Sequence, residues 1–314
     1  MVENGLIERL RSGDRRALAR VISKIEDGSP ETPEIISELY PSTGGAYSLG
    51  FTGPPGVGKS SLIGQLIKLY RREGLKIGVV SVDPSSPFSQ GAILGDRIRL
   101  AEHFLDRGVY IRSMGSRGHL GGLAATSKLG ALAMEAYGVD LVLYETVGVG
   151  QGEVEIASAA DTVVVALQPG SGDAVQALKA GVMEVADIFC VNKADHPQAR
   201  GTAAQVRSIL EIGQELNPRP WVPPIVMTRG DSGEGVEELK EKIEEHRAFL
   251  EESGELKTRR RESLKGTVIS WASSRLEEEL QSRLSRENSE LMNRVYSREL
   301  DPITAAERLL REVQ

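Results

Sequence analysis

A short glycine-rich stretch constrains the fold more than any other feature of this sequence. Residues 53–60 read Gly-Pro-Pro-Gly-Val-Gly-Lys-Ser and match the P-loop pattern G-x-x-x-x-G-K-[ST]. An apolar run at 47–51 precedes the match, and apolar residues at helical spacing follow it. A strand, this loop and a helix in that order predict a site where backbone N–H groups and the positive end of the helix dipole bind a phosphate chain.

The residues of this loop have separate expected roles. Glycines let the backbone wrap a phosphate chain, because no Cβ blocks the approach. Lys59 is expected to reach the β- and γ-phosphates, and the hydroxyl of Ser60 is expected to hold Mg²⁺. The predicted nucleotide-binding residues of the loop are Gly53, Pro54, Pro55, Gly56, Val57, Gly58, Lys59, Ser60 and Ser61.

Apolar, β-rich runs alternate with helical patterns from residue 46 to about residue 250. The runs lie at 47–51, 77–82, 109–112, 141–144, 162–167, 188–191 and 224–227. The helical patterns between them include 59–73, 121–137, 199–216 and 235–250. This alternation predicts an α/β fold of the P-loop NTPase type, with a mainly parallel sheet covered by helices on both faces. Ligands of such sheets bind beyond the carboxyl ends of the strands.

A second motif indicates which base the nucleotide carries. Asn192, Lys193 and Asp195 form N-K-x-D directly after an apolar run. An Asp carboxylate accepts hydrogen bonds from guanine N1–H and N2–H, and adenine lacks this pair of donors. Asn192 is expected to join neighbouring loops, and the stem of Lys193 is expected to cover the base. The motif predicts GTP or GDP as the ligand, and the turn at 228–235 is expected to contact guanine O6 through its backbone.

Acidic residues at or after the ends of apolar runs are candidate Mg²⁺ ligands. Asp83 ends the run IGVVSV in the Walker-B arrangement, although an Asp before Pro84 also starts turns. Glu145 ends another run, where many GTPases have the Asp of D-x-x-G. Asp96 lies in the glycine-rich loop after Asp83. It either caps a helix at 97–107 or reaches the metal when the loop closes over a γ-phosphate.

The segment after Glu145 predicts slow hydrolysis. No Gln directly follows Gly148, and Gln151 comes three residues later. A water-orienting Gln placed immediately after that glycine is therefore missing, and we expect a partner or a dimer contact to speed up GTP hydrolysis. A later segment, PGSGD at 169–173, is either a strand–helix connection with an N-capping Asp or a third mobile loop, with Lys179 exposed on its helix.

Helical extensions are expected at both ends. Asp14 is a plausible N-cap of a first amphipathic helix, and the basic run at 257–261 reads as a solvated linker. Beyond it, apolar residues recur every fourth position from 264 to 284, and this stripe turns by about 200° around a helix. One end is expected to pack on the central domain and the other on a second subunit. We predict three parts: a helical extension at 1–43, a P-loop GTPase domain at 44–250 and a helical dimerisation arm at 251–314.

The bulk composition excludes some functions. A net charge of −7 argues against nonspecific nucleic-acid binding. The one cysteine, Cys190, cannot form a disulfide within the chain. The first residues lack the apolar core of a signal peptide, and no run of 18 apolar residues exists. We therefore expect no membrane contact and a cytoplasmic location.

Taken in order, the motifs resemble one family: the methylmalonyl-CoA mutase-associated GTPases (MeaB/ArgK-like) of the SIMIBI class of P-loop proteins. The matching stretches are GPPGVGKSSL, VDPSSPFSQGAILGDRIRL, RGHLGGLA, ETVGVGQ, PGSGD and NKAD, with RALARVISKIE and DPITAAERLL near the two ends. The resemblance implies a homodimeric GTPase that chaperones an adenosylcobalamin-dependent acyl-CoA mutase in trans. It would gate cofactor loading and protect or reactivate the mutase, with GTP as a timer.

The resemblance also implies roles for single residues. Ser60 and the switch acids Asp83, Asp96 and Glu145 would surround Mg²⁺, and Lys179 would lie on a third switch. The predicted catalytic set is Lys59, Asp83, Asp96, Glu145, Gln151 and Lys179. Two departures from the usual pattern stand out: TRGDSGEG at 228–235 lacks the Ser-Ala that many GTPases have there, and His196-Pro197 follows NKAD.

Three alternatives stay open from the sequence. Related GTPases deliver nickel, but metal delivery needs clustered thiolate or imidazole ligands, and the four histidines here are widely spaced. A kinase or transport-linked ATPase for basic amino acids needs an acceptor pocket with a base near the γ-phosphate. A purely regulatory binding module would not turn GTP over. Methylmalonyl-, isobutyryl- and ethylmalonyl-CoA mutase all fit as the client.

Overall fold

Seven parallel strands form one sheet in the computed structural model, which describes residues 5–83, 100–115, 125–146, 156–170, 182–284 and 290–313. The strands are β1 (Tyr47–Thr52), β2 (Ile77–Asp83), β3 (Val109–Gly115), β4 (Leu141–Thr146), β5 (Thr162–Leu167), β6 (Ile188–Val191) and β7 (Ile225–Met227). Their order across the sheet is β3-β2-β4-β1-β5-β6-β7. The predicted mainly parallel sheet is confirmed, and all seven apolar runs are strands.

Helices precede the sheet, alternate with its strands and follow it. They are α1 (Leu6–Arg11), α2 (Arg15–Glu26), α3 (Thr32–Leu39), α4 (Lys59–Arg72), α5 (Ala125–Tyr137), α6 (Val182–Val185), α7 (Ala199–Leu216), α8 (Val236–Ser253), α9 (Glu255–Leu284), α10 (Glu290–Tyr296) and α11 (Pro302–Val313). Short 3₁₀ turns lie at Tyr40–Ser42 and Ala101–His103.

The sheet is buried on both faces. On one face, apolar residues of α4 and α8 join those of the central strands in a single core cluster. On the other face, α5 packs so closely on β2 that a Cβ added at Gly78 would lie 2.7 Å from Met134 Sδ. Continuous burial along the central strands leaves their carboxyl ends as the place for polar side chains.

The helix predicted at 97–107 is wrong for the part of that range that the structure describes, residues 100–107. Instead of a helix continuing to residue 107, residues 100–108 contain the 3₁₀ turn and then lead into β3. The carboxylate of Asp106 accepts hydrogen bonds from the Gly108 N–H at 2.7 Å and from the Arg71 guanidinium at 2.8 and 3.0 Å. An Asp that bonds its own backbone two residues on favours a turn over a helix.

The helix α2 begins where the sequence predicts. The Asp14 side chain accepts hydrogen bonds from the backbone N–H groups of Arg16 at 2.8 Å and Ala17 at 3.3 Å, so it is the N-cap of α2. The apolar face of α2 is fully buried: Ala17, Leu18, Val21, Ile22 and Ile25. Arg112 of β3 donates hydrogen bonds to Ser23 and Glu26 and so fastens α2 to the edge of the sheet.

The basic run at 257–261 is not the solvated linker that the sequence suggested. Arg259 lies in the first turns of α9, and its guanidinium donates two hydrogen bonds of 2.9 Å to the carboxylate of Asp187. Arg260 donates bonds of 3.0 and 2.9 Å to Asp161. Both aspartates are buried just before β6 and β5. Buried carboxylates need a cation partner, so these arginines anchor the start of α9 at the amino-terminal edge of the sheet.

The chain divides into two compact units, residues 1–263 and residues 264–314. In the second unit, Asp301 is the N-cap of α11, since its carboxylate accepts from the backbone N–H groups of Ile303 at 3.0 Å and Thr304 at 2.9 Å. The part of α9 in this unit carries a stripe of exposed large apolar side chains: Leu264, Val268, Ile269, Leu276 and Leu284. Among the residues described, no helix is both long and apolar enough to cross a membrane.

A buried histidine beside the Arg259–Asp187 pair makes stability depend on pH. His246 is fully buried, with its Nδ1 2.7 Å from Thr162 Oγ1 and its Nε2 3.3 Å from Asp187 Oδ1. Burial lowers the pKa of His246 below its ordinary value, against the opposing effect of the Asp187 carboxylate and aided by the nearby Arg259 guanidinium. The unfolded chain therefore binds the proton first as the pH falls.

We expect the free energy of unfolding to be greatest above about pH 6.5 and to fall below it, by up to about 1.4 kcal/mol per pH unit from this one group. Urea melts of the wild type and His246→Gln between pH 7.5 and 5 check this, and their difference in stability should narrow at the acid end. The exposed His196→Gln is the control and should follow the wild type. A constant difference between wild type and His246→Gln would contradict the expectation.

Candidate nucleotide site

The P-loop links the end of β1 to the start of α4 and is shaped by two glycines. Gly53 has φ +133°, and a Cβ there would lie 2.1 Å from the carbonyl oxygen of Ala166. Gly58 has φ +97°, and a Cβ there would lie 2.4 Å from Asn192 Nδ2. Both positions combine a positive φ with a close neighbour, so only glycine fits. The loop is thus held against the carboxyl ends of β5 and β6.

Lys59 is buried at the start of α4 and is bonded to its own loop. Its Nζ donates to the carbonyl oxygens of Gly53 at 2.6 Å and Pro54 at 3.1 Å. These bonds place the ammonium group inside the curve of the loop, at the positive end of the α4 dipole. Two sources of positive charge therefore act at the same point, where a phosphate chain would gain from both.

Ser60 and Glu145 meet beside this lysine. Ser60 Oγ donates a hydrogen bond of 2.5 Å to Glu145 Oε1, and both side chains are buried. Glu145 lies near the end of β4, in register with Phe51 of β1 and Ser81 of β2, and the Ser81 hydroxyl donates to Glu145 Oε2 at 3.4 Å. Hydroxyl and carboxylate oxygens are the hard ligands that Mg²⁺ prefers, so this residue set fits Mg²⁺.

The other predicted acids and switch residues are placed only in part. The backbone of Asp83 ends β2 at the same edge of the sheet as Glu145, because Val82 pairs with Thr146 of β4. Asp96, Gln151 and Lys179 lie outside the described residues. Within the described ranges, no group of three or more His, Cys, Asp or Glu side chains is arranged to hold a metal ion by itself.

Asn192 joins three loops at the other end of the site. Its Nδ2 donates to the carbonyl oxygen of Val57 in the P-loop at 2.7 Å. Its Oδ1 accepts from the Gly230 N–H at 2.9 Å and from the Thr228 hydroxyl at 3.2 Å. The amide is buried. The Gly230 N–H is engaged by Asn192, so an O6 contact from the 228–235 turn would use another of its N–H groups.

Lys193 lies across the site in an unusual backbone conformation. Its φ of +57° is rare outside glycine, and such strain persists only where the surroundings hold it. Its Nζ donates to the carbonyl oxygen of Gly56 at 2.9 Å and to Gln168 Oε1 at 3.0 Å. The stem therefore bridges the P-loop and the end of β5, which suits an aliphatic cover for a base. No motif in the sequence pointed to Gln168 as part of this site.

Asp195, the expected reader of guanine, has a partner that sequence reasoning missed. Arg229, in the turn after β7, forms ion pairs with Asp195 at 3.5 Å, Asp231 at 3.3 Å and Glu234 at 3.6 Å. Only its position in the sequence could have indicated this partner. Arg229 follows β7 and N-K-x-D follows β6, so both lie at the carboxyl ends of neighbouring strands. Arg229 lies within the 228–235 stretch that lacks Ser-Ala.

The comparison with known proteins agrees with this geometry. A model of the family described as "Methylmalonyl Co-A mutase-associated GTPase MeaB" matches residues 18–287. The chain belongs to this family. A putative GTPase of Pyrococcus horikoshii is 48% identical to this MeaB-family chain over 309 residues, which is 98% of this chain and 97% of the relative. The mouse "Methylmalonic aciduria type A homolog, mitochondrial" is 33% identical over 302 residues, 95% of this chain and 72% of the relative.

A solved structure supports the fold of this MeaB-family protein. The crystal structure of a LAO/AO transport system kinase is similar with a TM-score of 0.68 at 28% identity, covering 100% of this chain and 99% of that one. Together with the family match, it shows that the seven-stranded sheet and its helices have a P-loop GTPase fold. The protein is a GTPase that binds guanine nucleotides and hydrolyses GTP.

Proposed function

We propose that this GTPase serves an adenosylcobalamin-dependent acyl-CoA mutase as a chaperone, acting in trans. It would gate the loading of the cofactor and protect or reactivate the mutase, with GTP hydrolysis as the timer. The observation that carries the proposal is the match of residues 18–287 to a family described as mutase-associated. The name of the mouse relative, which refers to methylmalonic aciduria, points to the same metabolism.

Residues of the described site have distinct proposed tasks. Lys59 would exchange its bonds to Gly53 and Pro54 for phosphate oxygens, because an anion offers a stronger partner than a carbonyl. Ser60 and Glu145 would hold Mg²⁺, with Asp83 and Asp96 as further proposed ligands. When bound, the ion supplies positive charge to the phosphate oxygens.

The remaining catalytic assignments stay proposals from the sequence. Gln151 would orient the attacking water only after its loop is arranged, since it does not directly follow Gly148. Lys179 would act on the third switch. A site that lacks a fixed water-orienting group hydrolyses GTP slowly until a partner completes it, and this dependence would tie hydrolysis to the state of the mutase.

We further propose that the protein is a homodimer. Residues 251–314 would be the dimerisation arm, after an N-terminal extension at 1–43 and the GTPase domain at 44–250. The exposed apolar stripe on α9, from Leu264 to Leu284, supports this proposal, because apolar side chains in such a row gain free energy when a second surface covers them.

The test is GTP hydrolysis by the pure protein, alone and with a candidate adenosylcobalamin-dependent mutase from the same source. We expect slow hydrolysis alone and at least about tenfold stimulation by the mutase, as a partner that completes a GTPase site gives large effects. The stimulation should disappear in Lys59→Ala. Rapid hydrolysis alone, or no response to methylmalonyl-, isobutyryl- or ethylmalonyl-CoA mutase, would contradict the chaperone proposal.

The same assay separates the alternatives. Transfer of the labelled γ-phosphate of GTP to a basic amino acid would favour a kinase, and the similar solved structure is named as a kinase. Stimulation by a nickel enzyme precursor would favour metal delivery. No turnover under any condition would favour a regulatory binding module.

A further inference from the structure

Arg229 is the charged partner that the structure gives to the base-reading carboxylate. Its Nε lies 3.5 Å from Asp195 Oδ1, across the gap between the turn after β7 and the loop after β6. We infer that Arg229 is a positioning residue, which holds the Asp195 carboxylate in the orientation that binds guanine. This inference deepens the proposed function and rests on its assignment of Asp195 to the base.

Arg229 is well placed for this task because its own position is fixed. Its backbone N–H donates to the carbonyl oxygen of Glu234 at 2.8 Å, and its carbonyl oxygen accepts from the Gly233 N–H at 2.8 Å. Its side chain is flanked by Asp231 and Glu234, and these charges, with Asp195, raise the pKa of the guanidinium. The cation is therefore tethered from two sides and permanently charged.

The Nε–H of Arg229 makes no hydrogen bond to the described residues, although its nitrogen atom is buried. Asp195 Oδ1 lies 3.5 Å from this nitrogen, at the outer limit of hydrogen-bond distance. A small movement of the carboxylate would therefore complete the bond. A buried donor without an acceptor costs free energy, which favours the arrangement in which Asp195 closes that gap.

Asp195 needs such a partner because it is exposed. About 60% of its side chain is open to solvent, so the carboxylate would otherwise lose rotational freedom when it binds a base. Arg229 and guanine do not compete for it. A carboxylate has about four lone-pair positions, and guanine N1–H and N2–H take one on each oxygen, which leaves a further position for Arg229.

The experiment is a double-mutant cycle with two nucleotides. Dissociation constants of GDP and xanthosine diphosphate are measured for the wild type, Arg229→Met, Asp195→Asn and the double variant. Xanthine has a C2 carbonyl where guanine has an amine, so an Asn amide at position 195 can donate to it while its oxygen accepts N1–H. Asp195→Asn should therefore prefer xanthosine diphosphate, by about 10²-fold relative to the wild type.

If Arg229 acts through Asp195, Arg229→Met should weaken GDP binding by about fivefold, the upper range for an exposed ion pair, with kcat little changed. In the Asp195→Asn protein, the same change should alter the affinity for xanthosine diphosphate by less than about twofold, since the carboxylate is gone. Arg229→Lys should fall between Arg229→Met and the wild type. The control is Arg207→Met, which removes the same charge from the exposed surface of α7 and should leave GDP binding unchanged.

Other outcomes would overturn the inference in recognisable ways. Unchanged GDP binding by Arg229→Met would exclude a positioning role. Arg229→Met could also weaken GDP binding in the wild-type background and xanthosine diphosphate binding in the Asp195→Asn background by the same factor. That result would mean that Arg229 supports the loop and not the carboxylate. If Asp195→Asn does not change the base preference, Asp195 does not contact the base, and the inference about Arg229 is wrong. None of these results depends on the mutase, so they are distinct from failure of the chaperone proposal.

Discussion

Replacing Lys59 by alanine is expected to lower the rate of GTP hydrolysis by about 10³-fold and to weaken binding of GTP more than binding of GDP. The ammonium group lies inside the P-loop, bonded to the carbonyl oxygens of Gly53 and Pro54 at 2.6 and 3.1 Å. In the transition state, negative charge develops on the leaving oxygen, which bridges the β- and γ-phosphates. A cation that is already in place near this oxygen stabilises the transition state. Steady-state hydrolysis and nucleotide titrations measure both effects.

A matched control comes from the same helix. Lys68 of α4 is partly exposed and pairs with Glu102 at 2.9 Å, away from the loop. Lys68→Ala should hydrolyse GTP at the wild-type rate. Thermal melts of both variants without nucleotide separate chemistry from folding, because loss of Lys59 also leaves two loop carbonyls without their donor. Hydrolysis by Lys59→Ala within tenfold of the wild type would place the phosphate chain elsewhere.

Local patterns predicted the fold and the centre of the site well. The P-loop and the apolar runs are contiguous in sequence, and each determines its own strand, turn or helix start. The parallel direction of the strands could be predicted because a helix between two strands returns the chain to the end of the sheet where the first strand began. The Asp14 N-cap could be predicted for the same reason, since the backbone N–H groups that donate to its carboxylate lie within three residues. In all these cases the interacting groups are close in the chain.

Contacts between distant segments could not be predicted in this way. The linker prediction failed because the partners of the basic run lie 72 and 99 residues away, so the sequence shows the two arginines without the buried aspartates that bind them. The pairing of Arg229 with Asp195, and of Lys193 with Gln168, likewise depends on which strands become neighbours. The N-K-x-D motif was visible, but the neighbouring strands that bring Arg229 and Gln168 to it were not.

Replacing Glu145 by glutamine is expected to lower hydrolysis by about 10²-fold while the protein stays folded. The amide has the size of the carboxylate and still accepts the hydrogen bond from Ser60, so the 2.5 Å contact has a neutral substitute. What is lost is the negative charge of a proposed Mg²⁺ ligand, and charge-assisted contacts are about twice as strong as neutral ones. The rate as a function of Mg²⁺ concentration should therefore show both a lower maximum and a higher half-saturation point.

Glu145→Asp tests whether reach matters as well as charge. The shorter side chain keeps the carboxylate but withdraws it from Ser60, and we expect a loss of about tenfold, between Glu145→Gln and the wild type. Glu135→Gln is the control, because Glu135 is a partly buried carboxylate near the amino end of β1 that accepts from the Gly44 N–H at 2.6 Å, far along the sheet from the P-loop. If Glu145→Gln kept the wild-type rate and Mg²⁺ dependence, the bond to Ser60 would be structural only, and the metal ligands would have to be sought among Asp83 and Asp96.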